Sequence, residues 1–525
     1  MDSVDVSTPT DSATSYDEVP YASFPFVQSH PNRLATVATI FGMQPPPIET
    51  ARILELGCAS GGNIIPMAGE LPGSQCVGID LSSVQVAAGQ KMLAEVGFNN
   101  VRLEARSITD FGPQDGQFDY VICHGVWSWV PRHVREKILE ICDQQLSPQG
   151  VAFISYNTYP GWHLRGTVRD MMVYHARKFA TPPERVGHAR ALLDFLVRSV
   201  PGEGNAYAML LKSEMELLRT KSDSYLLHEH LEAVNDPVYF YQFEEQISAH
   251  QLQYLGESDM GSMLAETFPS EVDKIIRRLS ANMIEMEQYI DFLRNRTFRQ
   301  TLICHRDVRL DRRPDYRRLK TLRVASRVGP KSTERVDLSP NEKVTFVGGH
   351  GHIVASDPGV KAALIVLNEI WPASVPFDRL VELARERGEK ESIDTSHESF
   401  NERNLGANLL QCYLRGFVRL HVAPLPCVPR PSERPATPPV ARWYAKTGNY
   451  VTNLANEMVE LNDLGRQMLL LADGTRDHQQ LTKDLIHLAE RGAVVIANPQ
   501  ERAMPAELLV EKTLLMLAVN CLLVA

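Results

Sequence analysis

Residues 51–85, ARILELGCASGGNIIPMAGELPGSQCVGIDLSSVQ, constrain the fold of this 525-residue chain more than any other stretch. An apolar run from Arg52 to Leu56 ends in a turn of small residues, Gly57 to Gly62, and a helix follows. A second apolar run, Gln75 to Asp80, closes on an acid. Strand patterns recur at Val101 to Ala105, Phe118 to Cys123 and Val151 to Tyr156, with helical spacing at Ser82 to Val96 and Arg132 to Leu146. Strands alternating with helices predict a parallel sheet covered on both faces. The rhythm breaks between Leu164 and Leu231, where the pattern is helical, and strand runs return at Gln251 to Glu257 and Thr297 to His305. The helical region, about 164–240, is therefore expected to be inserted before the last two strands of one sheet. The first domain then spans 21–305.

The polar, acidic stretch 1–20 lacks the basic start and apolar core of a signal peptide and is expected to be a disordered leader. Residues 306–423 begin with an arginine-rich linker and continue as a helix-turn-helix pattern. The Pro-rich segment 424–440 separates this from a similar pattern at 441–525. ALIVLNEIWPASVPFDRLVELA (363–384) parallels GRQMLLLADGTRDHQQLTKDLI (465–486), and LLQCYLRGFVRLH (409–421) parallels TLLMLAVNCLLVA (513–525) at a shift of 104, with Gly416 facing Asn520. Two winged-helix-like modules are expected. The net charge of -10 gives no global field toward nucleic acid or anionic lipid. No apolar run reaches the ~20 residues of a membrane span. Eight cysteines without a CxxC pair exclude a zinc ribbon and fit a reducing cytosol.

The chemistry concentrates at the first turn. Small residues let the backbone approach a ligand, and the helix start offers unpaired N–H groups. Asp80, at the end of the second strand, is placed to accept ribose hydroxyls. As bare spacing, Gly57, Ala59 and Gly62 fit a degenerate GxGxxG turn, which a nicotinamide dinucleotide would also suit. Glu55, however, would repel a pyrophosphate and welcome an ammonium. No second mononucleotide-binding half follows residue 157. A ligand with a ribose and a positive charge is favoured, and S-adenosylmethionine is the obvious candidate.

ELGCASGGN, GIDLS and FDYVICHGVWSWVP resemble the class I S-adenosylmethionine-dependent methyltransferases. YDEVPYASFPFVQSHPNRLATVATIFG, SYNTYPGWHLRGTVRDMMVYHA and YLLHEHLEAVNDPVYFYQFEEQI are similar to the bacterial subfamily with a methyltransferase regulatory domain, which includes rickettsial protein-lysine methyltransferases. The resemblance covers about residues 16–305 and extends more loosely over the C-terminal modules. It implies an α/β fold: a seven-stranded Rossmann-like sheet of order 3-2-1-4-5-7-6 with an all-α insertion, then winged-helix-like α+β modules.

Carried over by position, the resemblance assigns Glu55 to the methionine ammonium through water. Gly57, Ala59 and Gly61 form the turn beneath the methionine, and Asp80 holds the ribose with Leu81 beside the adenine. Ser107 and Ile108 flank the adenine, and His124 with Gly125 lines the floor. Ala59 departs from the usual glycine, and Ser107 from a frequent aspartate. Gln28 and His30, in the N-terminal segment, are expected to help close the pocket, although His30-Pro31 also reads as a helix start.

Trp127, Trp129, Tyr156, Tyr159 and Trp162 crowd the loops after strands four and five, where an amine acceptor needs aromatic surroundings. Trp127, Asn157 and Tyr159 are the candidate catalytic residues, with packing the alternative for Trp127 and Trp129. His133, His163 and His175 read as surface or packing residues, and His350 and His352 as part of a hairpin turn rather than a metal pair. HGVW stands where amino-methyltransferases of nucleobases and glutamine carry Asp/Asn-Pro-Pro-Tyr/Phe. No metal-ligand cluster typical of catechol-type O-methyltransferases is evident. The expectation is a cytoplasmic methyltransferase acting on a protein lysine, dimeric through the helical insertion, with no nucleic-acid or membrane partner. The alternatives are a small-molecule N- or O-methyltransferase and a cofactor-binding regulatory protein.

Overall fold

The computed structural model describes residues 15–524 apart from 22, 203, 333–335, 341, 350 and 397. Most of the expected leader, 1–14, and His350 lie outside them. Ser15–Glu18, inside the leader, form a helical turn instead of disordered chain.

Seven strands build the central sheet: β1 (Arg52–Leu56), β2 (Gln75–Asp80), β3 (Val101–Ala105), β4 (Phe118–Cys123), β5 (Leu146–Asn157), β6 (Leu252–Glu257) and β7 (Phe298–His305). Their order is β3-β2-β1-β4-β5-β7-β6, and β7 runs antiparallel to both neighbours. This is the expected seven-stranded α/β sheet. β1, β2 and β4 are short apolar runs because both faces of the sheet are covered there, whereas the edge strand β3 alternates, with Val101 and Leu103 buried and Arg102 exposed. β5 starts earlier than its apolar pattern, as a register shift opposite Phe118 and Tyr120 admits the polar residues Ser147 to Gln149. β1 and β4 are parallel, and the order of strand addition reverses between them, so the crevice at their carboxyl ends is where this sheet binds ligands.

Between β5 and β6 the described residues form five helices. The first four, Gly161–Ala176, Pro182–Ser199, Ala206–Arg219 and Asp223–His230, have a hydrophobic core of their own, and Phe240–Ala249 follows them. After β7 the chain forms two helix-turn-helix units. Pro358–Ile370 and Phe377–Lys390 correspond to Asp463–Leu471 and His478–Glu490, and Glu402–Leu414 corresponds to Ala506–Val519. One detail of the expected repeat is corrected. Gly416 takes the left-handed conformation (φ +77°), but its counterpart is Cys521 (φ +56°), not Asn520. The pairing therefore slips one residue beyond a shift of 104.

The first of these units shares a continuous core with the sheet, whereas the second has its own. The helix Pro31–Ile40 joins the first unit to the sheet domain. Asn32 donates from Nδ2 to the Ala423 carbonyl (3.0 Å) and accepts from the Val422 N–H (2.9 Å). No helix among the described residues is long and apolar enough to cross a membrane.

Candidate active site

The crevice is built on the turn after β1. Gly57, Ala59 and Gly61 all have positive φ (76°, 49° and 78°). A Cβ on Gly57 would strike the Val126 side chain at 2.4 Å, so glycine is required there by space as well as by conformation. A Cβ on Gly62 would meet the Ser23 carbonyl at 2.5 Å, which shows how closely the N-terminal segment crosses the turn. Ala59 pays for its left-handed backbone with a compensating contact: its N–H donates to Asp80 Oδ2 at 2.8 Å. Asp80 Oδ1 accepts from the Ser82 N–H at 2.9 Å, so each carboxylate oxygen keeps a further lone pair for a ligand hydroxyl. Burial pushes the Asp80 carboxyl above its ordinary range, and nearby Asp17 adds to the effect, against the backbone hydrogen bonds.

Glu55 is buried on β1, between β2 and β4. Its Oε1 accepts from Asn63 Nδ2 at 2.7 Å, while Oε2 has no hydrogen-bond partner. Burial pushes this carboxyl up to about 8; the Asn63 hydrogen bond opposes this, the Asp80 charge adds to it, and the Ile64 backbone N–H opposes it more weakly. A buried carboxylate with one oxygen unused is completed by a cationic donor, as the methionine ammonium of S-adenosylmethionine is. The residues present therefore fit that cofactor.

At the adenine end, Leu81 is 65% exposed directly after β2. Ser107 and Ile108 follow the adjacent β3, with Ser107 Oγ bonded to Thr109 Oγ1 at 2.7 Å. At the floor, His124 Nδ1 lies 3.0 Å from Ser155 Oγ, which also accepts from the Gly125 N–H at 2.8 Å. Phe26 lies on the His124 ring at 3.8 Å between centroids, and Phe298 meets it edge-on at 6.3 Å. Burial pushes the His124 imidazole down to about 4, so it is neutral near pH 7.

The N-terminal segment spans the crevice, as expected, but through other residues. Asp17 accepts from Ser82 Oγ (2.6 Å), Ser23 Oγ accepts from the Gly62 N–H (2.8 Å), and the Phe26 N–H donates to Asn63 Oδ1 (2.8 Å). His30 does not face the pocket. Its Nδ1 caps the helix Pro31–Ile40 by accepting from the Asn32 N–H, and its Nε2 pairs with Glu70 at 3.1 Å. The helix-start reading of His30-Pro31 is what the structure contains. Gln28 is half-buried in the same segment, and its carbonyl accepts from Ser258 Oγ.

Among the candidate catalytic residues, Trp127 is wholly buried and packs edge-on against Phe243, so it is a core residue and cannot touch an acceptor. Tyr156 likewise stacks on Phe243 at 4.3 Å. Asn157 is buried and donates from Nδ2 to Asn235 Oδ1. Tyr159 alone of the three is half-exposed. It stacks on His163 at 3.9 Å and lies 5.2 Å from Tyr239, which in turn stacks on Tyr241. Asp236, paired with Arg135 at 2.6 Å and still 63% exposed, brings a carboxylate to this aromatic rim. Sequence reasoning missed Phe26, Asn63, Asp236, Tyr239 and Phe298. Asn63 was the recoverable one, because it stands within the turn motif itself.

A switch-point crevice holding a small-residue turn, a buried glutamate just before it on β1 and a ribose-directed aspartate defines a class I methyltransferase site. Comparison with known proteins agrees. Residues 53–150 match the "Methyltransferase domain" family, 222–305 the "Predicted methyltransferase regulatory domain" and 433–522 the "PKMT, C-terminal winged helix domain". The regulatory-domain match thus runs through β6 and β7. Protein RP789 of Rickettsia prowazekii (strain Madrid E) is 35% identical over 494 residues, 93% of this chain and 88% of that one. Protein RP028 of the same organism is 45% identical over 44% of this chain and 92% of its own length. The structure of PKMT2 from Rickettsia typhi in complex with AdoHcy superposes with a TM-score of 0.84 at 30% identity, covering 96% of this chain and all of that one. The chain belongs to this rickettsial-type family of S-adenosylmethionine-dependent class I methyltransferases, with a regulatory domain and a C-terminal winged-helix domain.

Proposed function

We propose that this enzyme methylates the side-chain amine of a protein lysine. The cofactor supplies an electrophilic methyl group on a sulfonium. Glu55 holds its ammonium, and Gly57, Ala59 and Gly61 carry the methionine part. Asp80 binds the ribose, Leu81 and Ile108 flank the adenine with Ser107 at its edge, and His124 with Gly125 forms the floor. The observation that carries the cofactor assignment is the unused Oε2 of buried Glu55. In-line displacement asks the protein to position the amine and exclude water more than to supply a strong base. A neutral His124 suits this, since a cationic imidazole beside a sulfonium would oppose binding.

The acceptor reading is supported by the half-exposed Tyr159 and Tyr239 with Asp236, which suit a lysine ammonium by its charge and by its affinity for aromatic faces. One of the ammonium protons must pass to solvent at this open rim before the nitrogen can accept a methyl group. Likeness to PKMT2 supports the same acceptor class. Calorimetric titration with S-adenosylhomocysteine tests the cofactor half. Wild type is expected to bind, and Asp80→Ala to weaken binding about 30-fold or more, as for removal of a buried charged hydrogen-bonding partner. Radiolabelled methyl transfer into protein, with recovery of methyl-lysine after hydrolysis, tests the acceptor half. Label recovered only in small molecules would refute it.

The enzyme is also proposed to dimerise through the helical insertion. Tyr174, Phe195 and Met209 expose 59%, 61% and 69% of their surface there, and Tyr174 also lines a cleft of about 400 Å3 with Asp170, Met171, His175, Leu192 and Leu196. Exposed apolar area of this kind marks an interface. Light scattering of wild type is expected to give twice the chain mass and of Phe195→Glu the single mass. A monomeric wild type would exclude the dimer.

A further inference from the structure

The hairpin Tyr450–Thr452 and Met458–Glu460 belongs to the C-terminal winged-helix domain, yet its tip reaches the cofactor turn. Asn456 at the tip is fully buried and donates from Nδ2 to Asn63 Oδ1 at 3.1 Å. Its own Oδ1 has no partner, and its main chain lies beside Glu70. Asn63 Oδ1 also accepts from the Phe26 N–H, while Asn63 Nδ2 donates to Ser29 Oγ (3.0 Å) and to Glu55 Oε1 (2.7 Å). A side-chain amide is nearly symmetric in shape and can be reversed by rotation. Reversal here would face the Asn63 NH2 with two donors and leave Glu55 opposite a carbonyl oxygen.

We propose that Asn456 is a positioning residue of the methyltransferase site. By donating to Asn63, it fixes the amide orientation that ties down one oxygen of Glu55 and leaves the other for the cofactor ammonium. Cofactor affinity is thereby set in part by the docking of the winged-helix domain. The inference rests on the cofactor reading above and names a residue some 390 positions from the turn. The structure gives a further reason to credit Asn456 with a specific role. It occupies a left-handed conformation (φ +54°), which asparagine tolerates better than most residues, so its substitution by glycine removes the amide without straining the backbone.

The test is titration of the full-length protein with S-adenosylhomocysteine between pH 6 and 9, for wild type, Asn456→Gly and the isosteric Asn456→Asp. Wild-type affinity is expected to rise with pH as Glu55 ionises. Asn456→Gly should weaken binding about three- to tenfold, the value of one neutral hydrogen bond, and move the midpoint of the rise to higher pH. Asn456→Asp fills the same space but donates only while its carboxyl is protonated, so it should weaken binding at least as much as glycine does at pH 9, where it is most ionised, and less at pH 6. Dissociation constants within twofold of wild type, or weaker binding with the midpoint unmoved, would overturn the proposal. The second result would mean general loosening only. Should Asn456→Gly fail to fold, Asn456→Asp decides alone. If wild type itself binds no S-adenosylhomocysteine, the cofactor reading fails first and takes the relay with it.

Discussion

Glu55→Gln should make the ligand-free protein more stable and a poorer binder of S-adenosylhomocysteine. The folded-state carboxyl titrates at about 8, above an unfolded value of 4.5. A group shifted upward in this way contributes stability that is fully present below the unfolded value and is lost as pH rises through the folded one. Between about 4.5 and 8 the unfolded chain releases a proton that the folded chain retains, so folding grows less favourable across that window. Glutamine keeps an oxygen for Asn63 Nδ2 and carries no charge to desolvate. The melting temperature of Glu55→Gln should therefore exceed that of wild type by little near pH 5 and by much more at pH 8. At roughly 1.4 kcal/mol per pKa unit the gain reaches the order of a few kcal/mol. Binding should weaken about 30-fold or more, because the ammonium loses its buried counter-charge. Equal melting temperatures at pH 8, or undiminished binding, would show that Glu55 is not the strained, ligand-directed acid described above.

Arg299→Met is the second large effect, and it concerns the support beneath the acceptor side. Arg299 is fully buried on β7 and bonds Asp291 twice (2.8 and 2.9 Å), Glu257 at 2.7 Å and Glu287 at 3.1 Å, with its guanidinium 3.8 Å from the Phe240 ring centroid. Arg296 adds a second cation, at 2.9 Å from Asp291. Three acids thus share two arginines, and burial pushes Glu287 up to about 7 and Asp291 above its usual range, with Arg299 opposing both shifts. Methionine fills much of the volume but leaves three buried acids with Arg296 as their remaining cation, which costs about 3–5 kcal/mol. Without Arg299 those carboxyls titrate higher still, so the loss should be largest at pH 8 and partly recovered near pH 5.5, where protonation replaces the lost cation. A loss independent of pH would assign Arg299 a packing role only.

The alternation around Glu55, Asp80 and the later strands made the sheet legible, because a buried parallel strand is a compact apolar run and the turn after it needs small residues. β6 and the antiparallel β7 were legible because each is also a buried apolar run, although residues 158–251 stand between β5 and β6. Trp127 was not placed correctly, since an aromatic beside a ligand and one beneath it look alike in one dimension. His30 had two readings because a cap and a ligand both use a ring nitrogen, and only the position of Glu70 separates them. Asn456 was invisible as a site residue. Its meaning depends on a docking between segments that no local pattern records. The slipped correspondence of Gly416 with Cys521 has a related cause: asparagine was expected at the left-handed position by propensity, and the helix Ala506–Val519 ends one residue later than that expectation.

The docking of Asn32 onto residues 422 and 423, and of Asn63 onto Asn456, also sets an order of events during synthesis. At about 5–20 residues per second, roughly 20–80 s separate the emergence of each N-terminal partner from that of its C-terminal one. The sheet can form in that interval, with the crossing segment already bonded to Ser82, Gly62 and Asn63, but Asn63 still lacks its Asn456 donor and Asn32 its partners at 422 and 423. The nascent chain therefore carries a pocket that is assembled but not yet braced, and the brace arrives only with the winged-helix domain.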